Sequence, residues 1–221
     1  MRRAAAAHAI AIAAALLGLA AQPAVAQGKP GAPAGPGGYG QRYAALCAAC
    51  HGANGRSDMP GTPALAGQHS FYAITQLFLF REGRRANEAM SAVAKTMNDT
   101  DLRGFSDFIA TLPPVPAPPP ATPPDAARML RGQALAQEHR CLNCHGADLS
   151  GGQQVPRIAQ QREDYLQLTL REFSSGKRPG YTQAMGAALS GIPVADLDTL
   201  AYYIARFPGA APSTPPKPSG K

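Results

Sequence analysis

Two short stretches decide how this chain folds: Cys47-Ala-Ala-Cys-His51-Gly52 and Cys141-Leu-Asn-Cys-His145-Gly146. Together they contain all four cysteines of the 221 residues. Cysteines in an exported protein usually form disulfides, but a disulfide does not require a histidine directly after it, and here one follows both pairs. A zinc site would need the two pairs brought together. A thioredoxin-like redox site would need a βαβ unit, for which the sequence has no alternating strand pattern.

The Cys-x-x-Cys-His spacing is instead that of covalent haem attachment. Two cysteine sulfurs can reach both vinyl groups of one porphyrin as thioethers, and the adjacent histidine then projects towards the iron. The sequence therefore predicts two covalently bound haem c groups. The predicted attachment residues are Cys47, Cys50, Cys141 and Cys144, and the predicted proximal iron ligands are His51 and His145.

The two motifs lie in two copies of one repeated unit, which we call the first repeat (residues 38–112) and the second repeat (residues 126–208). Pro63-Ala-Leu-Ala-Gly-Gln68 corresponds to Pro156-Arg-Ile-Ala-Gln-Gln161. Further matched pairs are Tyr72 and Tyr165, Phe80 and Phe173, Gly83 and Gly176, and Met90 and Met185. A repeat of this kind indicates two similar domains in tandem.

Each repeat is predicted to be all-α, with about three main helices. The first leads into the cysteines. The second is predicted over residues 70–82 and 163–175 and stopped by Gly83 and Gly176. The third should begin near Asn98-Asp99 and near Pro193, the latter as a first helical residue. Units this small bury little apolar surface, and tryptophan is absent. We therefore expect one covalent haem to fill the centre of each.

The remaining segments predict an exported protein. Residues 1–26 combine Arg2-Arg3, an apolar run and Ala24-Val25-Ala26, which is typical of a cleaved signal peptide. A membrane anchor is the alternative, but the run is short and interrupted by His8. Residues 27–37 and 209–221 should be disordered, and residues 113–125 should form a Pro-rich linker. We expect a periplasmic protein with no membrane span after cleavage.

On these motifs the chain resembles tandem class I cytochromes c, and specifically the dihaem cytochrome c4 family, over about residues 38–208. The resemblance implies His/Met ligation of each iron, with Met90 and Met185 as the distal ligands. Met97 is a rival in the first repeat, but it aligns with Ile192, an apolar position at a helix start. The resemblance also implies that the carbonyls of Pro63 and Pro156 accept a hydrogen bond from the proximal imidazoles.

Matched basic residues follow the second helix of each repeat: Arg84, Arg85, Lys177 and Arg178. They could neutralise haem propionates or form a solvated turn, and the sequence leaves both open. Tyr72 and Tyr165 could line the haem edge or simply pack between helices. His69 and His139 are expected at the surface.

The predicted function is electron transfer without catalysis, because filled axial positions leave no site for substrate chemistry. Residues 38–112 hold seven basic and six acidic residues, and residues 126–208 hold nine and seven, so no nucleic-acid partner is expected. We expect a carrier between a quinol-oxidising complex or dehydrogenase and a terminal oxidase or other acceptor. The alternative is a dihaem subunit of a flavin- or molybdenum-dependent dehydrogenase. Whether the linker lets the repeats pack together stays open.

Overall fold

The computed structural model describes residues 36–118, 122–178 and 183–207, so the predicted signal peptide and C-terminal tail lie outside the described residues. Within these ranges the chain forms helices and no strand. The helices of the first repeat are α1 (Pro36–Leu46), α2 (Ala48–His51), α3 (Ser70–Arg81), α4 (Glu88–Ala94) and α5 (Asp99–Thr111). Those of the second repeat are α6 (Ala126–Glu138), α7 (Cys141–His145), α8 (Glu163–Ser174), α9 (Ala184–Leu189) and α10 (Val194–Ala205).

Each repeat packs its first, second and third long helices around its own apolar core. In the first repeat, α5 contacts both α1 and α3, and its core includes Tyr43, Leu77 and Phe105. In the second, α10 contacts both α6 and α8, and its core includes Leu135 and Leu200. The all-α prediction and the three long helices per repeat agree with the structure.

Local sequence sets the helix ends. Asn98 and Asp101 form a capping box at the start of α5, with each side chain bonded to the backbone of the other residue, which satisfies two otherwise unpaired N–H groups. Gly83 follows α3 at a φ of +66°, a conformation that glycine adopts without strain. Pro193 precedes α10 as its N-cap residue rather than forming its first turn, which corrects the prediction by one residue. Similarly, α1 already begins at Pro36, inside the stretch expected to be disordered.

The two repeats contact each other, and backbone hydrogen bonds hold the chain near Leu112 and at Ala117 against them. The N–H of Gly67 donates to the carbonyl of Leu112 at 2.8 Å, where the linker leaves the first repeat. Further on, the N–H of Ala117 donates to the carbonyl of Gln160 at 3.0 Å. The described part of the Pro-rich segment therefore runs along packed repeats instead of holding them apart. Among the helices of the described ranges, none is long and apolar enough to cross a membrane.

Candidate haem sites

Each Cys-x-x-Cys-His motif forms a single helical turn, α2 or α7, which places its two cysteines and its histidine close together. Cys47 and Cys141 are half-buried, while Cys50 and Cys144 are exposed, and none forms a disulfide. Burial raises the pKa of Cys47 to about 11. Redox-active dithiols require a lowered thiol pKa, so the structure opposes a thioredoxin-like role. The described residues also contain no cluster of three metal-binding side chains of the zinc-site type.

The two motif histidines are buried and held in the same way. His51 and His145 are each 6% exposed. Nδ1 of His51 lies 2.9 Å from the carbonyl oxygen of Pro63, and Nδ1 of His145 lies 3.0 Å from that of Pro156. Because a carbonyl only accepts, Nδ1 carries the proton and Nε2 is left available to a metal. Burial lowers the pKa of both imidazoles and the proline carbonyl partly opposes it, which favours the neutral, ligating form.

The candidate distal methionines lie on the short helices that precede the last long helix of each repeat. Met90 is on α4 and Met185 on α9, and each packs, half-buried, against the core of its own repeat. The Asn87 side chain accepts from the Met90 N–H at 2.9 Å and so caps α4. The rival Met97 is itself a buried member of the first core, where a thioether serves as packing.

The matched basic residues divide into an exposed and an inward pair. Arg84 and Lys177 are exposed. Arg85 donates to Gln76 at 2.7 Å and to the Tyr165 hydroxyl at 3.0 Å, and thus reaches the other repeat. Arg178, only 6% exposed, donates to Thr169, Gln76 and the Tyr72 hydroxyl at 3.0–3.4 Å.

Buried Arg178 and half-buried Arg85 both donate to side chains that carry no carboxylate. Neither Arg85 nor Arg178 forms an ion pair with a carboxylate of the described ranges. Burial opposes ionisation of Tyr165, but the two guanidinium groups outweigh it and lower the tyrosine's pKa. A buried guanidinium without a paired carboxylate is costly unless polar groups compensate it, and here tyrosine, threonine and glutamine side chains supply the hydrogen bonds. Tyr72 and Tyr165 lie at this junction, each hydrogen-bonded to an arginine of the opposite repeat.

The expectation of two surface histidines needs correction, because both His69 and His139 are half-buried. His69 is half-buried at the contact between the repeats, where its Nε2 lies 2.8 Å from the carbonyl oxygen of Ser150. Arg162, at the matching position of the second repeat, donates to the carbonyl of Ser57 at 3.1 Å. A surface assignment from sequence fails here because the neighbour is about eighty residues away.

Comparison with known proteins places these observations in a family. The family model described as cytochrome c matches residues 39–113 and again residues 129–207. The chain belongs to the cytochrome c family. It carries two such domains, and with them two covalently bound haem c groups.

By name, the similar proteins are cytochromes c4 and an electron acceptor. A cytochrome c4 from Thiocapsa roseopersicina is 34% identical over 155 residues, which cover 65% of this chain and 78% of the relative. A thiosulfate dehydrogenase electron acceptor from Thiomonas intermedia is 30% identical, covering 79% of this chain and 82% of the relative. The solved cytochrome c4 of Acidithiobacillus ferrooxidans matches with a TM-score of 0.63 at 29% identity, covering 73% of this chain and 98% of that one. The predicted resemblance, fold class and cofactor are confirmed, and the chain is a dihaem electron-transfer protein.

Sequence analysis missed one set of residues in this region. Gln68 and Gln161 stand in the matched Pro-to-Gln segments, yet nothing in one repeat alone indicates that each glutamine reaches the other repeat. The available signal is that a polar residue recurs at a matched position beside the proline loop. The structure shows both glutamines buried between the repeats.

Proposed function

We propose that this protein is an exported, periplasmic electron carrier in which His51 and Met90 ligate one haem iron and His145 and Met185 ligate the other. The covalent haem supplies a one-electron Fe(III)/Fe(II) couple when bound. The single observation that carries the proposal is that each motif histidine offers Nε2 while its Nδ1 is held by a proline carbonyl of the same repeat. Such a bond fixes the imidazole plane and its basicity.

The chain's other residues then have distinct tasks. The thioether sulfurs of Met90 and Met185 are soft, neutral donors that favour Fe(II) and raise the potential. Arg85 and Arg178 neutralise propionate carboxylates at the junction of the repeats. A redox partner can approach an exposed haem edge through a small, weak interface.

A second role is favoured by one comparison. The relative from Thiomonas intermedia is named as the electron acceptor of thiosulfate dehydrogenase. We infer from it that a dehydrogenase is a candidate donor for this chain, either as a transient partner or as a catalytic subunit that holds the chain permanently. A stable monomer after native purification supports the transient carrier. Co-purification of a flavin- or molybdenum-containing subunit supports the fixed one.

The ligand assignment is tested with Met90→Ala and Met185→Ala in the full haem-loaded protein. Each substitution should remove the Met–Fe(III) absorption band of one haem and lower that haem's potential, because a soft ligand that favours Fe(II) is lost. Met97→Ala is the matched control and should leave both bands in place. If the band survives Met90→Ala and Met185→Ala together, the ligand assignment is wrong. If the native protein binds carbon monoxide readily, the carrier proposal fails.

A further inference from the structure

The contact between the repeats contains a reciprocal pair of buried glutamines. Gln68 and Gln161 are each 7% exposed. Oε1 of Gln161 accepts from the N–H of Ala64 at 2.7 Å, and its Nε2 donates to the carbonyl of Ala64 at 2.9 Å. Gln68 does the same to Arg157, at 3.0 Å and 3.2 Å. Because a backbone N–H needs the amide oxygen and a carbonyl needs the amide nitrogen, the orientation of each side chain is fixed.

Each glutamine accepts a hydrogen bond from a backbone N–H. The carbonyl of that same peptide group accepts a hydrogen bond from a proximal histidine. In the first repeat, the peptide bond joins Pro63 to Ala64. Its carbonyl oxygen accepts from Nδ1 of His51 at 2.9 Å, and its N–H donates to Gln161 of the second repeat. A continuous chain of hydrogen bonds therefore runs from His51 through one peptide group to Gln161.

The same chain recurs in the opposite direction. The peptide bond between Pro156 and Arg157 accepts from His145 at 3.0 Å and donates to Gln68 of the first repeat at 3.0 Å. Each histidine is thus linked to a side chain that belongs to the other haem's repeat.

This series of hydrogen bonds transmits an electronic effect from the glutamine to the histidine. Hydrogen bonds in series polarise one another, so a peptide group that donates through its N–H accepts more strongly at its carbonyl. Stronger acceptance from Nδ1 makes the imidazole a more basic ligand. A more basic ligand favours Fe(III) and lowers the potential of the iron it binds.

We propose that Gln161 and Gln68 are crossed positioning residues: Gln161 tunes the haem ligated by His51, and Gln68 tunes the haem ligated by His145. This rests on the axial role proposed above for the two histidines. Each repeat thereby sets the reduction potential of the haem in its neighbour, so that the matched pair of potentials depends on the packed arrangement.

The test is Gln161→Leu in the full haem-loaded protein, with Gln161→Met as a second apolar variant of similar length. A redox titration followed by NMR separates the haems through the methyl resonances of Met90 and Met185. With bond strengths changing by about 10–30%, we expect the Fe(III)/Fe(II) balance of the His51 haem to shift about threefold towards Fe(II). That shift is about 28 mV at 59 mV per tenfold. The His145 haem should shift less.

Two further readouts make the test specific. The Nδ1–H resonance of His51 in the reduced protein should move upfield in Gln161→Leu, while that of His145 stays in place, and Gln68→Leu should give the reverse pattern. His69→Leu is the matched control, because it removes a 2.8 Å contact between the repeats without touching either proline peptide. It should leave both Nδ1–H resonances unchanged.

Three outcomes would overturn the proposal. They are an equal shift at both haems, a shift confined to the mutated repeat, and no shift in either apolar variant. The Met–Fe(III) band is recorded in every variant. If the band persists, any of these three outcomes refutes the role of the glutamines and leaves the ligand assignment intact. The ligand assignment is refuted only if the band survives Met90→Ala and Met185→Ala together.

Discussion

Gly151→Ala gives a quantitative test of the loop that positions His145. Gly151 has a φ of +69°, and a Cβ built there would lie 2.4 Å from the carbonyl oxygen of Val155 and 2.5 Å from that of Pro156. Both contacts are with backbone atoms, which cannot rotate away as a side chain would. The substitution should therefore push the Pro156 carbonyl away from Nδ1 of His145, to which it is bonded at 3.0 Å.

Gly176→Ala is the matched control in the same repeat. Gly176 has a φ of +72°, and a Cβ there would meet nothing within 4 Å. Gly176→Ala should be destabilised only by the strain of alanine in the left-handed conformation, about 1–2 kcal/mol. Gly151→Ala adds displacement of a packed backbone, about 1–3 kcal/mol, for a total of about 2–5 kcal/mol. The altered entropy of the unfolded chain is common to both variants and cancels in the comparison.

The assay is denaturant unfolding of the haem-loaded protein, followed by circular dichroism and by the Met–Fe(III) band. Gly151→Ala should be the less stable variant by about 1–3 kcal/mol, and its His145 Nδ1–H resonance should move upfield, while Gly176→Ala leaves that resonance unchanged. Equal losses of stability, with the resonance fixed in both, would refute the claim that Pro156 dictates glycine at position 151. In the first repeat the corresponding loop position is Ser57, at a φ of +56°, so the requirement for glycine is specific to the second repeat.

Two further predictions concern helix ends in the first repeat. Asn87→Ala removes the cap that holds the Met90 backbone, so it should lower the free energy of unfolding by about 1 kcal/mol and weaken the Met–Fe(III) band. The control Asn98→Ala should lower the free energy of unfolding by a similar amount and leave the band intact. Absorption spectra recorded during unfolding will show the difference. The guanidinium of Arg42 lowers the pKa of Asp101, so Asp101→Asn should cost about 1 kcal/mol at neutral pH. A depressed carboxyl pKa stabilises the fold at pH values above the unfolded pKa of about 3.9. The difference in unfolding free energy between the wild type and Asp101→Asn should therefore disappear as the pH falls through the folded pKa. A difference that stayed constant between pH 7 and pH 2 would contradict this prediction.

The sequence predicted the long helices because their signals are local and appear twice. The second helix, predicted over residues 70–82, is observed as Ser70–Arg81, and the start of the third at Asn98 carries its own capping residues. The short helices α4 and α9 were not predicted, since six or seven residues are too few to show a helical period. The loops between them depend on long-range contacts that no window of sequence contains.

The candidate ligands could be found from the repeat, but their surroundings could not. The Cys-x-x-Cys-His motif indicated His51, and the family resemblance implied Met90 as its distal partner and the Pro63 carbonyl as the acceptor of its imidazole N–H. The role of Gln161 depends on Ala64, 97 residues away, and only the packing of the repeats brings the two together. The position of His69 was misjudged for the same reason.

The contact between the repeats is self-complementary, as in a twofold dimer, where residue i meets residue j and j meets i. Gln68 and Gln161 exchange equivalent bonds, and Arg85 meets Tyr165 as Arg178 meets Tyr72. A duplicated unit provides such a surface readily, because matched residues of the two halves can make equivalent contacts. The linker then needs only to keep the halves at high effective concentration, which explains how a Pro-rich connection is compatible with close packing.

The repeats differ at matched positions of α3 and α8. Phe71 on α3 is 56% exposed, whereas the matching Asp164 on α8 accepts from the N–H of Gly61 in the first repeat at 2.8 Å. The first repeat also exposes Phe78 on the same helix, where the second has Arg171. Since the haem attachment motif is the same in both repeats, these outer faces are what a partner can use to distinguish them. We therefore expect the outer surfaces of α3 and α8 to determine which haem receives electrons from a donor and which haem delivers them to an acceptor. We expect the contact between the repeats to adjust the reduction potentials of the two haems to each other.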